Sequence, residues 1–469
     1  MNTAYSSGVD VTSDVTTGRT SATAHISGVL ARIKLANPQL NAFTDVVESR
    51  ALAAATEIDR RRAAGSKLGP LAGVPFAVKN MIDIANVRTR AGSKINSDER
   101  VPASCDATLV RRLESVGAIL VGSLNMGEYA YDFTGENAHY GPSRNPHDLS
   151  RMTGGSSGGT GAAVAGGLVP LALGSDTNGS IRIPSAFCGV FGLKPTFGRL
   201  SRAGSFPFVS SLDHLGPMAR SATDLSLAYD AMQGSDPEDP VCAERDVEPT
   251  SELLKRGADG LRIAIASGHF SMGAEPVALR AVLDVARSLD IGERVELPEA
   301  QRARAAAQLI SAAEGAALHL QRLRTRSGDF DPIVRDRLLA GAVTPASWVI
   351  KAQQFRRWYQ SAVLRIFKSV DVILAPTAPC RAPRLGQTTL DIDGEKLPLR
   401  PTLGVFTQPI SFIGLPVVTV PLWLDDTLPL GVQIITAPWR EDLALRVAYQ
   451  LEQSGVARVR ACEALWKSP

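Results

Sequence analysis

The amino-acid sequence predicts an α/β protein in which helices cover both faces of a central mixed β-sheet. Short apolar segments, such as residues 74–78, 168–174 and 261–266, have the length and the residue types of buried strands. Between them lie segments with the period of amphipathic helices, such as 106–116 and 275–289. Strands that alternate with helices are typical of α/β folds, and the content of 44% hydrophobic and 21% charged residues suits an ordinary globular protein.

The predicted elements follow one another in a regular order. A first helix is capped by Ser21 and runs to about residue 35, and an Ala-rich second helix covers 45–64. The strand at 74–78 ends directly before Lys79, which places this lysine at a strand exit, where a loop can carry chemistry. The pattern then predicts a helix at 106–116, strands at 118–121, 168–174 and 261–266, a helix at 275–289, a strand at 294–297, a helix at about 302–323, and strands at 370–374 and 417–420.

The whole chain, residues 1–469, is predicted to form a single domain. Its catalytic core lies at about 73–205, and the polar segment at about 1–20 is interpreted as a tail that does not fold by itself. Residues 234–260 accumulate Pro, Asp and Glu without periodicity and are interpreted as a surface connection. Residues 384–403 are interpreted as a hairpin-like excursion. Neither segment needs to separate two domains.

The balance of charge and the cysteine spacing limit the classes of partner and site. Fifty Lys and Arg stand against 47 Asp and Glu, so nothing indicates a nucleic acid or a membrane surface as partner. The five cysteines are widely spaced without a CxxC pair, and no signal peptide or membrane-spanning segment is recognisable, so we expect a cytoplasmic, reducing location. The six histidines form no metal-binding pattern, and we expect neither a metal nor a cofactor.

Two segments supply the groups that amide hydrolysis needs. Ser180 follows a turn at residues 177–179, where small residues let successive backbone N–H groups converge on one point. Such a turn is a candidate oxyanion hole beside a candidate nucleophile. Lys79 stands alone behind an apolar strand, where burial would lower its pKa and leave a neutral amine that can accept a proton. Each feature alone has an ordinary alternative, since glycine-rich loops often serve packing and most lysines after strands are solvated.

Three motifs taken together resemble the amidase signature family. They place Lys79 in GVPFAVKN, Ser156 in GGSSGG and Ser180 in DTNGSIR, and similar motifs extend over nearly the whole chain. The resemblance implies that Ser180 is the nucleophile, that Ser156 relays its proton to Lys79, and that water hydrolyses the acyl-enzyme. It assigns the oxyanion hole to the backbone N–H groups of Thr177, Asn178, Gly179 and Ser180.

The same resemblance implies supporting features around these groups. The peptide bond between Gly155 and Ser156 should be cis. Asp176 and Arg182 flank the nucleophile and are interpreted as a structural pair rather than as catalytic groups. The implied fold is the amidase signature fold, with a central mixed sheet between helices. Many members have glycine at the position of Asn178, so this residue should tighten access to the oxyanion hole and offer a side-chain amide to the substrate.

The glycine-rich segment at 154–161 also fits two other motifs. Its GSSGG sequence matches the GxSxG nucleophile elbow of α/β-hydrolases, in which Ser157 would be the nucleophile. That elbow must follow a buried strand, yet residues 145–153 are largely polar and include a proline. A P-loop would need Gly-Lys-Ser/Thr after the glycines, and none follows. Both alternatives are therefore rejected.

The sequence favours a small ureide as substrate, because residues 91–96, 175–180 and 194–199 resemble family members that hydrolyse such compounds. An anionic ureide needs cationic or amide donors, for which Asn178, His319 and Arg322 are the candidates. His319 and Arg322 share one face of the predicted helix, although a solvated face explains that pair equally well.

Other functions within the same fold remain open. The chain also resembles the glutaminase (A) subunits of tRNA-dependent amidotransferases, which release ammonia for a partner, and a general small-amide amidase is a further alternative. A catalytically silent assembly protein is a third, although the complete set of Lys79, Ser156 and Ser180 argues against it. The resemblance further implies a homodimer that carries a small helical accessory chain similar to the C subunit of tRNA amidotransferase.

Overall fold

A computed structural model describes residues 5–424 and 427–466 of the chain. In these residues the strands are, in chain order, β1 (Phe43–Val46), β2 (Pro75–Lys79), β3 (Ile119–Leu124), β4 (Arg144–Asn145), β5 (Asp148–Met152), β6 (Leu171–Asp176), β7 (Phe191–Lys194), β8 (His214–Ala219), β9 (Ile263–Ser267), β10 (Arg294–Glu296), β11 (Val372–Pro376), β12 (Thr389–Ile392), β13 (Glu395–Pro398), β14 (Val417–Leu422) and β15 (Leu430–Thr436). The α-helices are α1 (Gly8–Thr16), α2 (Ala22–Leu40), α3 (Glu48–Ala63), α4 (Lys94–Glu99), α5 (Thr108–Ser115), α6 (Gly158–Ala165), α7 (Arg182–Cys188), α8 (Ala222–Met232), α9 (Pro276–Ser288), α10 (Ala300–Thr325), α11 (Pro332–Ala342), α12 (Ala346–Ile366), α13 (Leu399–Leu403), α14 (Gln408–Ser411) and α15 (Glu441–Gln453).

Eleven of these strands form one mixed sheet in the order β1-β3-β2-β6-β8-β7-β14-β15-β11-β9-β10. The groups β3-β2-β6 and β11-β9-β10 are parallel, and the other neighbours are antiparallel. Helices flank this sheet, with α3 against β3, α8 against β8 and α15 against β14 and β15. The predicted fold class, a central mixed sheet between helices, is confirmed. Strands from both sides of residues 234–260 belong to this sheet.

The parallel pair β2 and β6 positions the candidate site. Both strands are buried along their whole length, as their apolar sequences require of strands covered on both faces. Val78 of β2 lies opposite Leu173 of β6. Because the carboxyl ends of parallel strands meet at the same edge of a sheet, Lys79 and the turn after Asp176 come together there.

Several element boundaries depart from the sequence prediction for local reasons. Ser21 caps α2 as predicted, since its hydroxyl accepts a hydrogen bond from the Ala24 N–H at 3.0 Å, but the helix continues to Leu40. The second helix begins at Glu48 rather than at 45, because residues 43–46 pair with β3 as strand β1. The hairpin predicted within 384–403 is present, formed by β12 and β13.

The interpretation of residues 1–20 as a polar tail is wrong for the described residues 5–20. Helix α1 starts at a capping box on Ser7, and Val11 and Val15 are buried. The carboxylate of Asp224, on α8, accepts hydrogen bonds from the N–H groups of Gly8 at 2.7 Å and Val9 at 3.0 Å. A distant carboxylate thus satisfies helix N–H groups that the local sequence leaves open. Within residues 5–424 and 427–466, no helix combines the length and apolarity that crossing a membrane requires.

Candidate active site

Lys79 is the last residue of β2, and its amine is surrounded by three serine hydroxyls. The Nζ atom donates to Ser156 Oγ at 2.6 Å, to Ser175 Oγ at 2.8 Å and to Ser157 Oγ at 3.1 Å. The lysine side chain is completely buried. Three oxygen acceptors match the three hydrogens of an ammonium, and the neutral amine can instead accept a hydrogen from one of these hydroxyls.

Burial lowers the pKa of Lys79 to about 7, while the nearby carboxylates of Asp176, Asp213 and Asp132 oppose this decrease. A lysine with such a pKa is partly neutral at physiological pH. It can therefore serve as a general base, which an ordinary solvated lysine with a pKa above 10 cannot do efficiently.

The segment that carries Ser156 is held by tight backbone packing. The peptide bond between Gly155 and Ser156 is cis, as the sequence predicts. A Cβ atom on Gly155 would lie 2.5 Å from Asp132 Oδ2 and 2.6 Å from the Gly135 nitrogen, so only glycine fits there. Ser156 itself is fully buried, and Ser157 occupies the N-cap position of α6. Gly155 therefore supports the position of Ser156 through packing.

Ser180 lies on the turn between β6 and α7 and borders a large cavity. Gly179 has a φ of 142°, and a Cβ atom at this position would collide with the hydroxyl of Thr407. That hydroxyl donates to the carbonyl oxygen of Asn178 at 2.7 Å and holds the turn. Within the described part of the chain, the backbone N–H groups of residues 177–180 donate no hydrogen bond. They are available to an oxyanion.

Asp213 anchors the start of this turn, although sequence reasoning did not single it out. Its carboxylate accepts a hydrogen bond from Thr177 Oγ1 at 2.6 Å and from the backbone N–H groups of Phe208 and Val209. Burial raises the pKa of Asp213, while these hydrogen bonds oppose the increase. The available signal was its position in the segment LDHLGP, residues 212–217.

Asp176 and Arg182 form the predicted structural pair. Arg182 Nε and Nη2 donate to the two carboxylate oxygens at 2.9 and 3.0 Å, and both side chains are fully buried. Burial alone would raise the pKa of Asp176, but the charge of Arg182 outweighs it and holds that pKa well below its usual range. Arg182 also donates to Gln433 Oε1 at 2.7 Å and to the Thr407 carbonyl at 3.1 Å. The pair thus ties the turn that carries Ser180 to β15.

The cavity beside Ser180 has a volume of about 900 Å³, which is within the usual range for small-molecule sites. Its wall includes Thr177 and Asn178 of the turn before Ser180 and parts of α10, α11 and α13. Asn178 Nδ2 donates to Ser311 Oγ of α10 at 2.8 Å, which fixes the side chain at the wall. The structure therefore brings Ser180 and Asn178 to one cavity.

Two arginines in the cavity wall escaped the sequence analysis. Arg337 of α11 lies 3.5 Å above the ring of Tyr131 and donates to the Tyr131 carbonyl at 2.9 Å. Arg400 of α13 donates to Asp132 at 2.5 Å and to Glu136 at 2.8 Å. Neither arginine stands in a recognisable motif, because packing of distant helices brings both to the cavity.

Neither His319 nor Arg322, the two residues of α10 that we expect to bind substrate, lines the cavity beside Ser180. His319 is fully buried 4.0 Å from the Tyr129 ring, and its ring nitrogens have no hydrogen-bond partner within the described residues. Burial lowers the pKa of His319 to about 3, so the ring is neutral. Arg322 pairs with Glu99 at 3.4 Å. Helical spacing correctly gave the two a common face, but an aromatic cluster that includes Phe330 covers it.

The chain belongs to the amidase family, whose sequence profile, described as Amidase, matches residues 24–445. The protein is accordingly a hydrolase of amide C–N bonds. Over 454 residues it is 51% identical to AtzE, a 1-carboxybiuret hydrolase subunit of Pseudomonas sp. (strain ADP), and the match covers 96% of this chain and 99% of that protein. It is 37% identical to the A subunit of the glutamyl-tRNA(Gln) amidotransferase of Moorella thermoacetica, over 91% of this chain and 92% of that one.

Solved structures agree with this assignment. A structure described as a vestigial protein complex that reveals the evolutionary origins of an s-triazine catabolic enzyme superposes with a TM-score of 0.96 at 50% identity, over 97% of this chain and 100% of that one. The A subunit of the glutamyl-tRNA(Gln) amidotransferase of Thermotoga maritima superposes with a TM-score of 0.77 at 29% identity, over 93% and 94% of the two chains.

Proposed function

We propose that this enzyme hydrolyses the terminal carboxamide of a small ureide such as 1-carboxybiuret and releases ammonia through an acyl-enzyme on Ser180. The observation that carries the proposal is the buried Lys79 amine, which contacts Ser156 at 2.6 Å at the sheet edge where Ser180 borders the cavity. The 51% identity to a component of 1-carboxybiuret hydrolase supports the substrate.

In the acylation step, Ser180 Oγ attacks the carboxamide carbon. Its proton passes through the hydroxyl of Ser156 to the neutral amine of Lys79, while the backbone N–H groups of residues 177–180 bind the oxyanion. When the tetrahedral intermediate collapses, the proton returns through Ser156 to the leaving nitrogen, and the C–N bond breaks. Ammonia leaves and the acyl group stays on Ser180.

Deacylation uses the same proton path, with water in place of Ser180 as the attacking group. A water molecule attacks the ester carbon and gives a proton through Ser156 to Lys79. Collapse of the second tetrahedral intermediate breaks the bond to Ser180 Oγ, which regains its hydrogen through the same two groups. The product carries a carboxylate where the substrate carried the terminal amide.

Arg337 and Asn178 are the proposed substrate-binding side chains. A carboxylated ureide is an anion, and Arg337 supplies positive charge to the cavity without a carboxylate partner within the described residues. Arg400 contributes less, because Asp132 and Glu136 neutralise it. The side-chain amide of Asn178 borders the same cavity two positions before the nucleophile.

The proposal is tested by measuring ammonia release from 1-carboxybiuret, biuret, glutamine and propionamide with purified protein. We expect the ureides to have the highest kcat/KM, by at least about tenfold over glutamine, since a site shaped for one polar pattern leaves groups unpaired with another. Preference for glutamine would instead support a role in a tRNA-dependent amidotransferase. The chain is 37% identical to the A subunit of that enzyme from Moorella thermoacetica.

We also propose that the enzyme acts in the cytoplasm as a homodimer that carries a small helical accessory chain. The name of the 51% identical relative designates it one subunit of an enzyme, and a solved relative is described as a protein complex. Large apolar side chains are exposed along α11, α12 and their connection, among them Val343 (80% exposed), Trp348 (55%) and Ile350 (59%). All five cysteines are unpaired, which suits a reducing compartment.

A further inference from the structure

We propose that Lys79 exchanges its proton with solvent through the hydroxyl of Ser175 and a recess that is separate from the substrate cavity. Ser175 acts through Lys79 and does not touch the reacting atoms. The inference rests on the proposed role of Lys79 as the base, but it does not depend on which amide is the substrate.

The three hydroxyls around the Lys79 amine differ in what their own hydrogens can reach. Ser156 is the proposed relay to Ser180. The hydroxyl of Ser157 donates to the Ser175 carbonyl at 3.2 Å and accepts from the Ser175 N–H at 3.3 Å, so the backbone already occupies it. Ser175 Oγ accepts from Lys79 Nζ at 2.8 Å, and within the described residues no group accepts its hydrogen. Since a hydroxyl can accept one proton while it donates another, Ser175 can pass a proton onward.

Ser175 lines a recess of about 150 Å³ that lies apart from the substrate cavity. Ser175 and Asp213, in the wall of this recess, are only 2% and 6% exposed. Three other lining residues are exposed, namely Pro207, Ser210 and Glu238. Within the described part of the chain, the recess shares no lining residue with the larger cavity. The recess therefore leads from the surface of the protein to the Ser175 side chain.

The wall of the recess is polar enough to hold water. Arg202 donates to both carboxylate oxygens of Asp239 at 3.2 Å and to the Ser210 carbonyl at 2.7 Å. The carboxylate-bearing Asp213 borders the same space. Water occupies about 30 Å³ per molecule in the liquid, so about five molecules fit beside these groups. Carboxylates in the wall favour a positive charge that moves through the recess.

The exchange transfers one proton from nitrogen to water. The Lys79 ammonium gives a proton to Ser175 Oγ, and the Ser175 hydroxyl gives its original proton to a water molecule in the recess. One N–H bond breaks and one O–H bond forms on water. A neutral amine and an intact hydroxyl remain, and the hydronium passes to solvent.

A separate path matters because a bound substrate fills the cavity. Burial lowers the pKa of Lys79 to about 7, although the carboxylates of Asp176, Asp213 and Asp132 oppose this decrease. Near neutral pH a large part of the enzyme therefore holds an ammonium here, and this form cannot act as a base. With the cavity occupied, Ser175 is the route by which the complex becomes active without losing its substrate.

A pH jump tests the path. Enzyme loaded with a saturating amide at about pH 5.5, where Lys79 is protonated, is mixed with alkaline buffer to about pH 8.5, and ammonia is measured after rapid quenching. Wild-type enzyme should reach its steady rate at once. Ser175→Val should show a lag longer than the time of one turnover, whereas Ser175→Thr, which has nearly the same shape but keeps a hydroxyl, should show none. Both variants should start without a lag when they meet substrate directly at the alkaline pH.

This comparison separates proton exchange from a structural effect. A substitution that only disturbs the site lowers the rate equally from both starting conditions and produces no lag. Ser157→Ala is the control for the loss of one hydrogen bond to Lys79, and it should show no lag, because Ser157 does not line the recess. A lag that is absent from Ser175→Val, or equal in the valine and threonine variants, overturns the proposal.

Filling the recess supplies a second test that leaves the contacts of Lys79 in place. Ala203→Leu, in the wall, should produce the same lag, and Ala243→Leu, at a partly buried alanine outside the recess, should not. Absence of a lag in Ala203→Leu overturns the role of the recess. Any amide that the wild-type enzyme hydrolyses serves as substrate, so failure of the ureide function leaves this test intact. An active Lys79→Arg enzyme would instead overturn the proposed base.

Discussion

The amine of Lys79 lies 2.6 Å from the hydroxyl of Ser156, and both side chains are fully buried. A buried amine without a carboxylate in contact loses hydration and gains no ion pair, so its neutral form is favoured. That single contact makes a proton relay possible at neutral pH and underlies the first two predictions.

Ser180→Ala and Lys79→Ala should each lower kcat by roughly 10³-fold or more without unfolding the protein. The double variant should lose little more than either single one, because both groups act in one proton-transfer unit. Steady-state ammonia release and circular dichroism measure the two properties. A Ser180→Ala enzyme that keeps more than about a tenth of the wild-type kcat would exclude this residue as nucleophile.

The rate should depend on pH through the protonation of Lys79. Its pKa is lowered to about 7, and only the neutral amine accepts a proton, so kcat/KM should fall about tenfold per unit as pH decreases below about 7. Lys79→Arg should be inactive throughout, because a guanidinium stays protonated. Lys194 is the control, since burial also lowers its pKa to about 7. If the decrease of kcat/KM at low pH disappears in Lys194→Met, the group that titrates is Lys194 and not Lys79.

Breaking the ion pair between Asp176 and Arg182 should lower the stability of the folded protein and not only its activity. Asp176→Asn leaves the charge of Arg182 buried and unpaired, and about 3–5 kcal/mol of the free energy of unfolding should be lost. Urea denaturation measures this loss. Glu57→Gln breaks the exposed pair of Glu57 and Arg60 and should leave the midpoint unchanged. Similar midpoints for the two variants would contradict the structural role.

Removing the charge of Arg337 should weaken binding of an anionic ureide. Arg337→Met should raise KM for 1-carboxybiuret by about tenfold or more, the size of one charge-assisted hydrogen bond, and should affect neutral biuret less. Arg335→Met is the control, because Arg335 of the same helix pairs with Asp336 and does not line the cavity. Equal changes in KM for the charged and the neutral substrate would show that Arg337 does not bind the carboxylate of the substrate.

Light scattering at micromolar concentration should give twice the mass of one chain. Trp348→Glu together with Ile350→Glu should shift this mass toward the monomer, since both exposed side chains lie on α12. Leu35→Glu changes an equally apolar residue, 66% exposed on α2, and should not do so. A monomeric mass for fully active wild-type enzyme would exclude the proposed homodimer.

Co-expression tests the accessory chain separately. A small helical chain encoded beside the enzyme should raise the midpoint of thermal unfolding as its concentration increases, because a partner that binds only the folded state stabilises it. If the midpoint of thermal unfolding and the mass both stay unchanged after co-expression, the proposed accessory chain is excluded.

The sequence by itself determined the fold class and the chemical groups of the candidate site. Buried strands such as β2 and β6 are recognisable from short apolar runs, and Lys79, Ser156 and Ser180 stand in contiguous motifs. The cap at Ser21 and the pair of Asp176 and Arg182 are likewise decided within a few residues of chain. Interactions of this range are visible without a structure because spacing along the chain fixes them.

Only the tertiary structure decided which helix faces surround Ser180. His319 and Arg322 share a face, as their spacing predicts, yet the aromatic cluster covers it, and Arg337 reaches the cavity instead. The N-terminal segment looked unfolded because the partner that anchors α1, Asp224, lies more than two hundred residues away. Periodicity gives the direction of a side chain relative to its own helix, whereas the packing of distant elements determines what that side chain meets.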